Sequence, residues 1–206
     1  MTSAQTTPKD RLCQGDIIRD VQCVESVRES GGVLEICRVQ FPIIIVLTQD
    51  CDLSQDHRLR CADKVLGSEK DQLLVSVLVA PLYNAEHVFD GEHLSCLDIS
   101  AQRFKRGKTD HRQLITNQKP RYHYIEFPEN VQVVPSVIDF KHYFSVHVDY
   151  LYALSRTNFV CSVAPLYREQ ISHRFAFFLS RIGLPIDADP RGDSTPVLNM
   201  QGIGTI

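Results

Sequence analysis

Residues 41–48 read Phe-Pro-Ile-Ile-Ile-Val-Leu-Thr, an apolar run bounded by Pro42 and by Gln49-Asp50. The run is too short and too rich in β-branched residues for a helix, and it predicts a central strand covered on both faces. Pro42 stands at its start, where a missing N–H does least harm. Upstream, Gly15-Asp16 opens residues 17–27, whose β-branched content predicts a strand although the alternation is imperfect. Glu29-Ser30-Gly31-Gly32 is a turn signal, so residues 33–39 are expected to return as the second strand of a hairpin. A second apolar run, residues 73–79, leads into Ala80-Pro81-Leu82.

Beyond Tyr83 the pattern weakens. Leu94, Leu97 and Ile99 suggest one short element, and residues 83–120 are expected to form an insertion. Strands resume at 122–127 and 131–140, split by the turn Pro128-Glu129-Asn130. Residues 143–154 fit two periods: His147, Tyr150 and Leu151 suit a helix, while Phe144, Val146 and Val148 suit a strand. The last element is helical, with Tyr167, Ile171, Phe175, Phe178 and Ile182 on one face and Arg168, Glu169, Ser172 and His173 on the other. Pro165 suits its first turn, and Gly183 with Pro185 suits its end. The organisation expected is a flexible lead (1–14), a single barrel-like domain (15–185) and a loose tail (186–206). The fold class expected is mainly β (α+β), closed by a C-terminal amphipathic helix.

Length and composition fit this picture. The 206 residues are 43% apolar and 23% charged, enough for one sizeable core. No stretch approaches the roughly 18 apolar residues of a membrane span, and residues 1–10 lack the apolar centre of a secretory signal. A cytoplasmic location is therefore expected, with no membrane partner. The seven cysteines are odd in number and irregular in spacing, which argues against a disulfide framework or a zinc ribbon. No cofactor or metal is expected.

Charge is distributed unevenly. Arg103, Lys105, Arg106, Lys108, Arg112, Lys119 and Arg121 face one acid, Asp110, so this segment carries +6 while the whole chain carries −3. Phe104, Tyr122, His123 and Tyr124 interleave with it, a composition that suits phosphate contacts and base stacking on single-stranded nucleic acid. A solvated basic loop, or a site for an acidic protein partner, has the same composition. His142, His147 and His173 show no ligand spacing.

The densest group of reactive side chains follows the buried strand: Thr48, Asp50, Cys51, Asp52, Asp56 and His57. Three readings are open. Asp50 or Asp52 caps a turn while Cys51 packs inward. Alternatively, Thr48 and Asp52 position an RNA 2′-hydroxyl for in-line attack, with His57 or Arg28 as acid, base or charge stabiliser. In the third, Cys51 is a nucleophile, or Asp50, Asp52 and His57 hold a metal, although flanking carboxylates suppress thiolate formation.

Gly15-Asp16-Ile17, the Pro42-led strand ending in Thr48, and the strand closing on Ala80-Pro81-Leu82 together resemble the PemK/MazF-like family of small SH3-like barrels. The resemblance spans residues 15–82 and implies an SH3-like β-barrel enlarged by an insertion near 83–120. Asp139-Phe140-Lys141-His142 and Ser180-Arg181-Ile182-Gly183-Leu184-Pro185 are similar to uncharacterised bacterial proteins that join such a barrel to a C-terminal helix. In the family's ribonucleases, an Arg between the first two strands and a Ser or Thr after the buried strand form the cleavage site. Thr48 matches the second position. Arg28 is the Arg available for the first, without the family's Gly/Arg-Pro context. The resemblance implies a bacterial toxin–antitoxin or phage-defence system. Within it, the missing Arg context, the acidic remainder of the chain and the weak nucleophile point to a non-catalytic binding or regulatory module, recognising a protein, single-stranded RNA or a second copy of itself. The alternative is a metal-independent endoribonuclease using Thr48, Asp52, Arg28, Cys51 and His57, with RNA held by Arg103, Lys105, Arg106, Lys108, Arg112, Arg121 and Tyr122.

Overall fold

The computed structural model describes residues 2–62 and 70–181. In chain order its elements are β1 (Ala4–Gln5), β2 (Asp16–Ser30), β3 (Val33–Val46), α1 (Asp50–Cys61), β4 (Ser76–Asn84), α2 (Ala85–Phe89), α3 (Thr109–Ile115), β5 (Tyr122–Ile125), β6 (Ser136–Asp139), β7 (Phe144–His147), α4 (Val148–Asn158), β8 (Phe159–Val163) and α5 (Pro165–Leu179). The fold is mixed α+β. One curled antiparallel sheet, a half-barrel, runs β1-β8-β2-β3-β4-β6-β5, with β7 paired to β4 off this path. No helix among the described residues is long and apolar enough to cross a membrane.

The buried run behaves as its composition demands. Ile45 packs with Ile17, Leu82, Ile138, Phe140 and Phe175 on the side covered by α5. Its neighbours Ile44 and Val46 point the other way, onto Leu53 of α1 and Val148 and Leu151 of α4. Both faces are therefore dry, which is why strict alternation is absent from the sequence. Residues 33–39 and 41–46 are one strand rather than two, because Gln40 stays in the ladder opposite Gln22. The strand stops at Val46, two residues before Thr48.

The hairpin turn is as the glycines demand: Gly31 (φ 59°) and Gly32 (φ 78°) both take the left-handed backbone of a type I′ connection. The imperfect alternation of 17–27 has a cause. The register of β2 on β3 slips between Val24 and Ser26, and this bulge puts Val24 and Val27 on the same face although their spacing is odd. The apolar run at 73–79 enters the sheet only at Ser76, and β4 continues through Pro81, which faces Ile44, to pair with β6 from Leu82.

Residues 143–154 satisfy both periods in turn, as β7 and then α4. On α5, Ile171 and Phe175 are buried and Tyr167 and Phe178 pack partly against the same core. The outer side is less polar than expected, since Leu166 and Phe177 are exposed there. The amide of Ser180 donates to the Ala176 carbonyl at the helix end. Ile182, Gly183, Pro185 and the tail 186–206 lie outside the described residues. In the lead, Ala4 pairs with Val163, and Leu12 and Cys13 are buried. The excursion at 83–120 packs Val88, Phe89, Phe104 and Leu114 together, closed against Tyr122 and Val137 of the sheet.

Candidate functional site

The most concentrated polar chemistry in the interior gathers at the end of β6. All four residues of this strand are buried, so Asp139 at its end is carried inward and requires partners. The pairing of Tyr122 with Asp139 brings the preceding Arg121 alongside. Its Nε donates to Asp139 Oδ1 at 2.8 Å, and the Lys141 amide donates to the same oxygen at 3.0 Å. A 3-10 turn over Phe140–His142 then folds His142 back, with Nδ1 3.4 Å from Asp139 Oδ2. From the excursion, His93 places Nε2 3.9 Å from that oxygen. Tyr83 on β4 completes the group, its hydroxyl 3.2 Å from His142 Nδ1 and its ring edge-on to His93 at 4.9 Å.

The electrostatics follow from burial. Loss of water alone would push the Asp139 carboxyl up, but His93 and Arg121, with the charges of His142 and Arg121, hold it down at about 2. His142 is lowered, first by burial and then by Arg121 and His93, against the pull of Asp139. Burial and the Asp139 charge push the Tyr83 hydroxyl up, so it stays protonated. Both nitrogens of His93 are buried without a hydrogen-bond partner. Beside His93 and Tyr83 opens a cavity of about 340 Å³, lined also by Phe41, Pro42, Cys96 and Leu97. A buried carboxylate between two imidazoles, one of which lines a cavity, can hold a proton in place or ligate a cation.

The group was not visible as a site in the sequence. Asp139 and His142 are three residues apart, which by itself marks no site, and His93 joins them only through the fold. His123, separately, is buried and lowered to about 3 by loss of solvent and then by Arg174.

The residues singled out from the sequence fall in three separate places, the start of α1, the β2–β3 hairpin and the basic excursion. Thr48 accepts a 2.6 Å hydrogen bond from the Leu78 amide, so its hydroxyl joins the exit of β3 to β4. Asp50, Cys51 and Asp52 form the first turn of α1 rather than a loop, and the N-cap residue, Gln49, makes no side-chain cap. Asp50 pairs with Arg11 at 2.9 Å and with Arg168 at 3.3 Å. Cys51 is exposed rather than packed inward, its thiol 3.4 Å from Asp52 Oδ1. His57 lies one turn further on, its Nε2 3.5 Å from Cys61 Sγ. Arg28 sits opposite Glu35 near the tip of the β2–β3 hairpin, in the strand and not in a loop. Eleven positions of β2 separate it from Ile17, which pairs with Ile45 near the base; at about 3.3 Å per residue this is up to roughly 36 Å. Arg28 and Thr48 do not converge.

In the basic segment, Arg106 pairs with Glu86, Lys119 with Asp110 at 2.7 Å, and Arg121 with Asp139. Arg103 donates to the Asp90 carbonyl at 3.0 Å. Lys105, Lys108 and Arg112 are exposed. Tyr122 is buried edge-on against Phe104, with the Arg121 guanidinium over its ring, and offers no face to a base. Comparison with protein-family models, curated proteins and solved structures gives no match to this chain.

Proposed function

We propose that this chain is an SH3-like barrel of PemK/MazF type acting as a non-catalytic binding module in a bacterial toxin–antitoxin or phage-defence system, with a protein as its partner. The observation that carries this reading is the outer half of the β2–β3 hairpin. Val24, Val27, Leu34 and Ile36 share one face of this arm by the register of the two strands, and all four are exposed, Leu34 by 60%. Their cross-strand pairing continues to the turn, so the arm keeps its shape away from the core. An exposed apolar face on a regular element favours a protein surface over a nucleic acid. The distance between Arg28 and Thr48, and the structural use of the Thr48 hydroxyl, weigh against the endoribonuclease alternative. Lys105, Lys108 and Arg112 are the feature that favours RNA.

Two measurements test the reading. Single-stranded RNA incubated with the chain without metal is expected to remain intact. A photo-crosslinking residue at Leu34 is expected to trap one defined protein in the host, and the same residue at Glu169 is not. RNA cleavage that disappears in Thr48→Ala and Asp52→Ala, with no adduct at position 34, replaces the binding reading with the ribonuclease.

A further inference from the structure

Buried polar groups are almost always satisfied, yet neither ring nitrogen of His93 has a hydrogen-bond partner, and Nε2 stands 3.9 Å from Asp139 Oδ2. The His93 side chain is fully buried, and so is that of Asp139. We propose that His93, Asp139 and His142 form a binding site for a divalent transition-metal ion of the zinc class, ligated by His93 Nε2, Asp139 Oδ2 and His142 Nδ1. These donor atoms already lie within 4.8 Å of one another.

A zinc-like ion sits about 2.0–2.1 Å from nitrogen and oxygen donors, which places tetrahedral ligands about 3.4 Å apart. The separation of Asp139 Oδ2 and His142 Nδ1 is 3.4 Å. His93 Nε2, at 3.9 Å from the carboxylate and within 4.8 Å of the His142 donor, has to close by about 0.5 Å on the carboxylate and by up to about 1.4 Å on His142. The Tyr83 hydroxyl, 3.2 Å from His142 Nδ1, gives up that nitrogen to the ion. Arg121 bridges the carboxylate, Nε donating to Oδ1 and Nη2 to Oδ2, and the Lys141 amide donates to Oδ1. These bonds orient the carboxylate as outer partners of metal ligands do, and the ion takes the remaining lone pair of Oδ2.

The donor set also selects among cations. Arg121 already balances the carboxylate, so a hard ion that depends on negative oxygen gains little. Magnesium and calcium require six or more oxygen ligands, whereas two imidazoles and one carboxylate suit zinc and cobalt. The three ligands come from the excursion, from β6 and from the turn after it, so an ion here ties the excursion to the sheet. The inference is independent of whether the arm binds a partner.

The test uses the untagged full chain freed of metal by a chelator and titrated with Zn²⁺, Co²⁺ or Mg²⁺ alone. One equivalent of Zn²⁺ or Co²⁺ is expected to bind and raise the melting temperature, and Mg²⁺ is not. His93→Asn and His142→Ala are each expected to weaken binding by at least about tenfold. Cys61→Ser, which removes the soft pair with His57, is expected to leave binding unchanged. X-ray absorption of the zinc-loaded wild type requires no variant and is expected to show imidazole nitrogen and oxygen without sulfur. The proposal falls if wild type binds neither Zn²⁺ nor Co²⁺, if sulfur ligates the ion, or if binding survives in His142→Ala and is lost in Cys61→Ser.

Discussion

Replacing Thr48 by Val separates a structural hydroxyl from a catalytic one. Thr48 Oγ1 accepts from the Leu78 amide at 2.6 Å, and the Thr48 amide donates back to the Leu78 carbonyl at 3.2 Å. Valine keeps the shape and the backbone bond but leaves the Leu78 N–H without an acceptor. A buried donor left unpaired costs about 1–3 kcal/mol, and half-burial at Thr48 places the loss near 2 kcal/mol. For a chain of this size each kcal/mol moves the melting point by about 2–4 °C, so Thr48→Val is expected to melt roughly 4–8 °C lower. Thr48→Ser keeps the hydroxyl and loses one methyl, about 0.8 kcal/mol at most. The assay is a urea titration and a calorimetric scan of the three proteins at one pH. Equal stability of Thr48→Val and wild type, together with loss of an RNA-cleaving activity, would refute the structural assignment.

Further outcomes follow from the same geometry. Val27→Asp combined with Leu34→Asp alters exposed positions only, so its melting curve is expected to match wild type within about 0.5 kcal/mol while the crosslinked partner is lost. Asp139 is held at about 2 against an ordinary 3.8, so it contributes stability that is present above pH 3.8 and lost as pH falls towards 2, roughly 2–3 kcal/mol in all. In Asp139→Asn that acid-dependent loss is expected to vanish from denaturation curves between pH 4 and 2, with stability lowered at neutral pH because Arg121 loses its partner. At Gly91 (φ 73°) an added Cβ meets the Ala101 carbonyl oxygen at 2.5 Å. Gly91→Ala is thus expected to cost at least about 2 kcal/mol in denaturant titrations and to displace His93, two residues on.

Much of the local structure was legible because burial leaves a local record. Ile43-Ile44-Ile45-Val46 announced a strand covered on both sides, Gly31-Gly32 announced its turn, and the 167/171/175/178 spacing announced the inner face of α5. α1 was not legible, since only Leu53 and Leu59 are apolar among its buried positions and the third is Asp56. Asp56 is held by Arg60 at 2.8 Å and by the Leu74 amide, partners that no hydrophobic period records. β8 escaped for another reason. Five residues between two helices carry little pattern, and Phe159–Val163 is a strand because β1 and β2 flank it.

The sequence by itself determined where the chain is buried, where it turns, and which residue types are available for chemistry. Only the tertiary structure decided which of those residues meet. The reactive group after Phe41–Thr48 dispersed into a helix turn and a backbone clasp, while Arg28 went to the tip of an arm whose apolar face came from a one-residue bulge. His93, Asp139 and His142, unremarkable along the chain, came to lie within 4.8 Å. The physical reason is that hydrophobic periodicity is set by neighbours three or four positions away. The company of a polar side chain is set by sheet order and register, which join residues tens of positions apart.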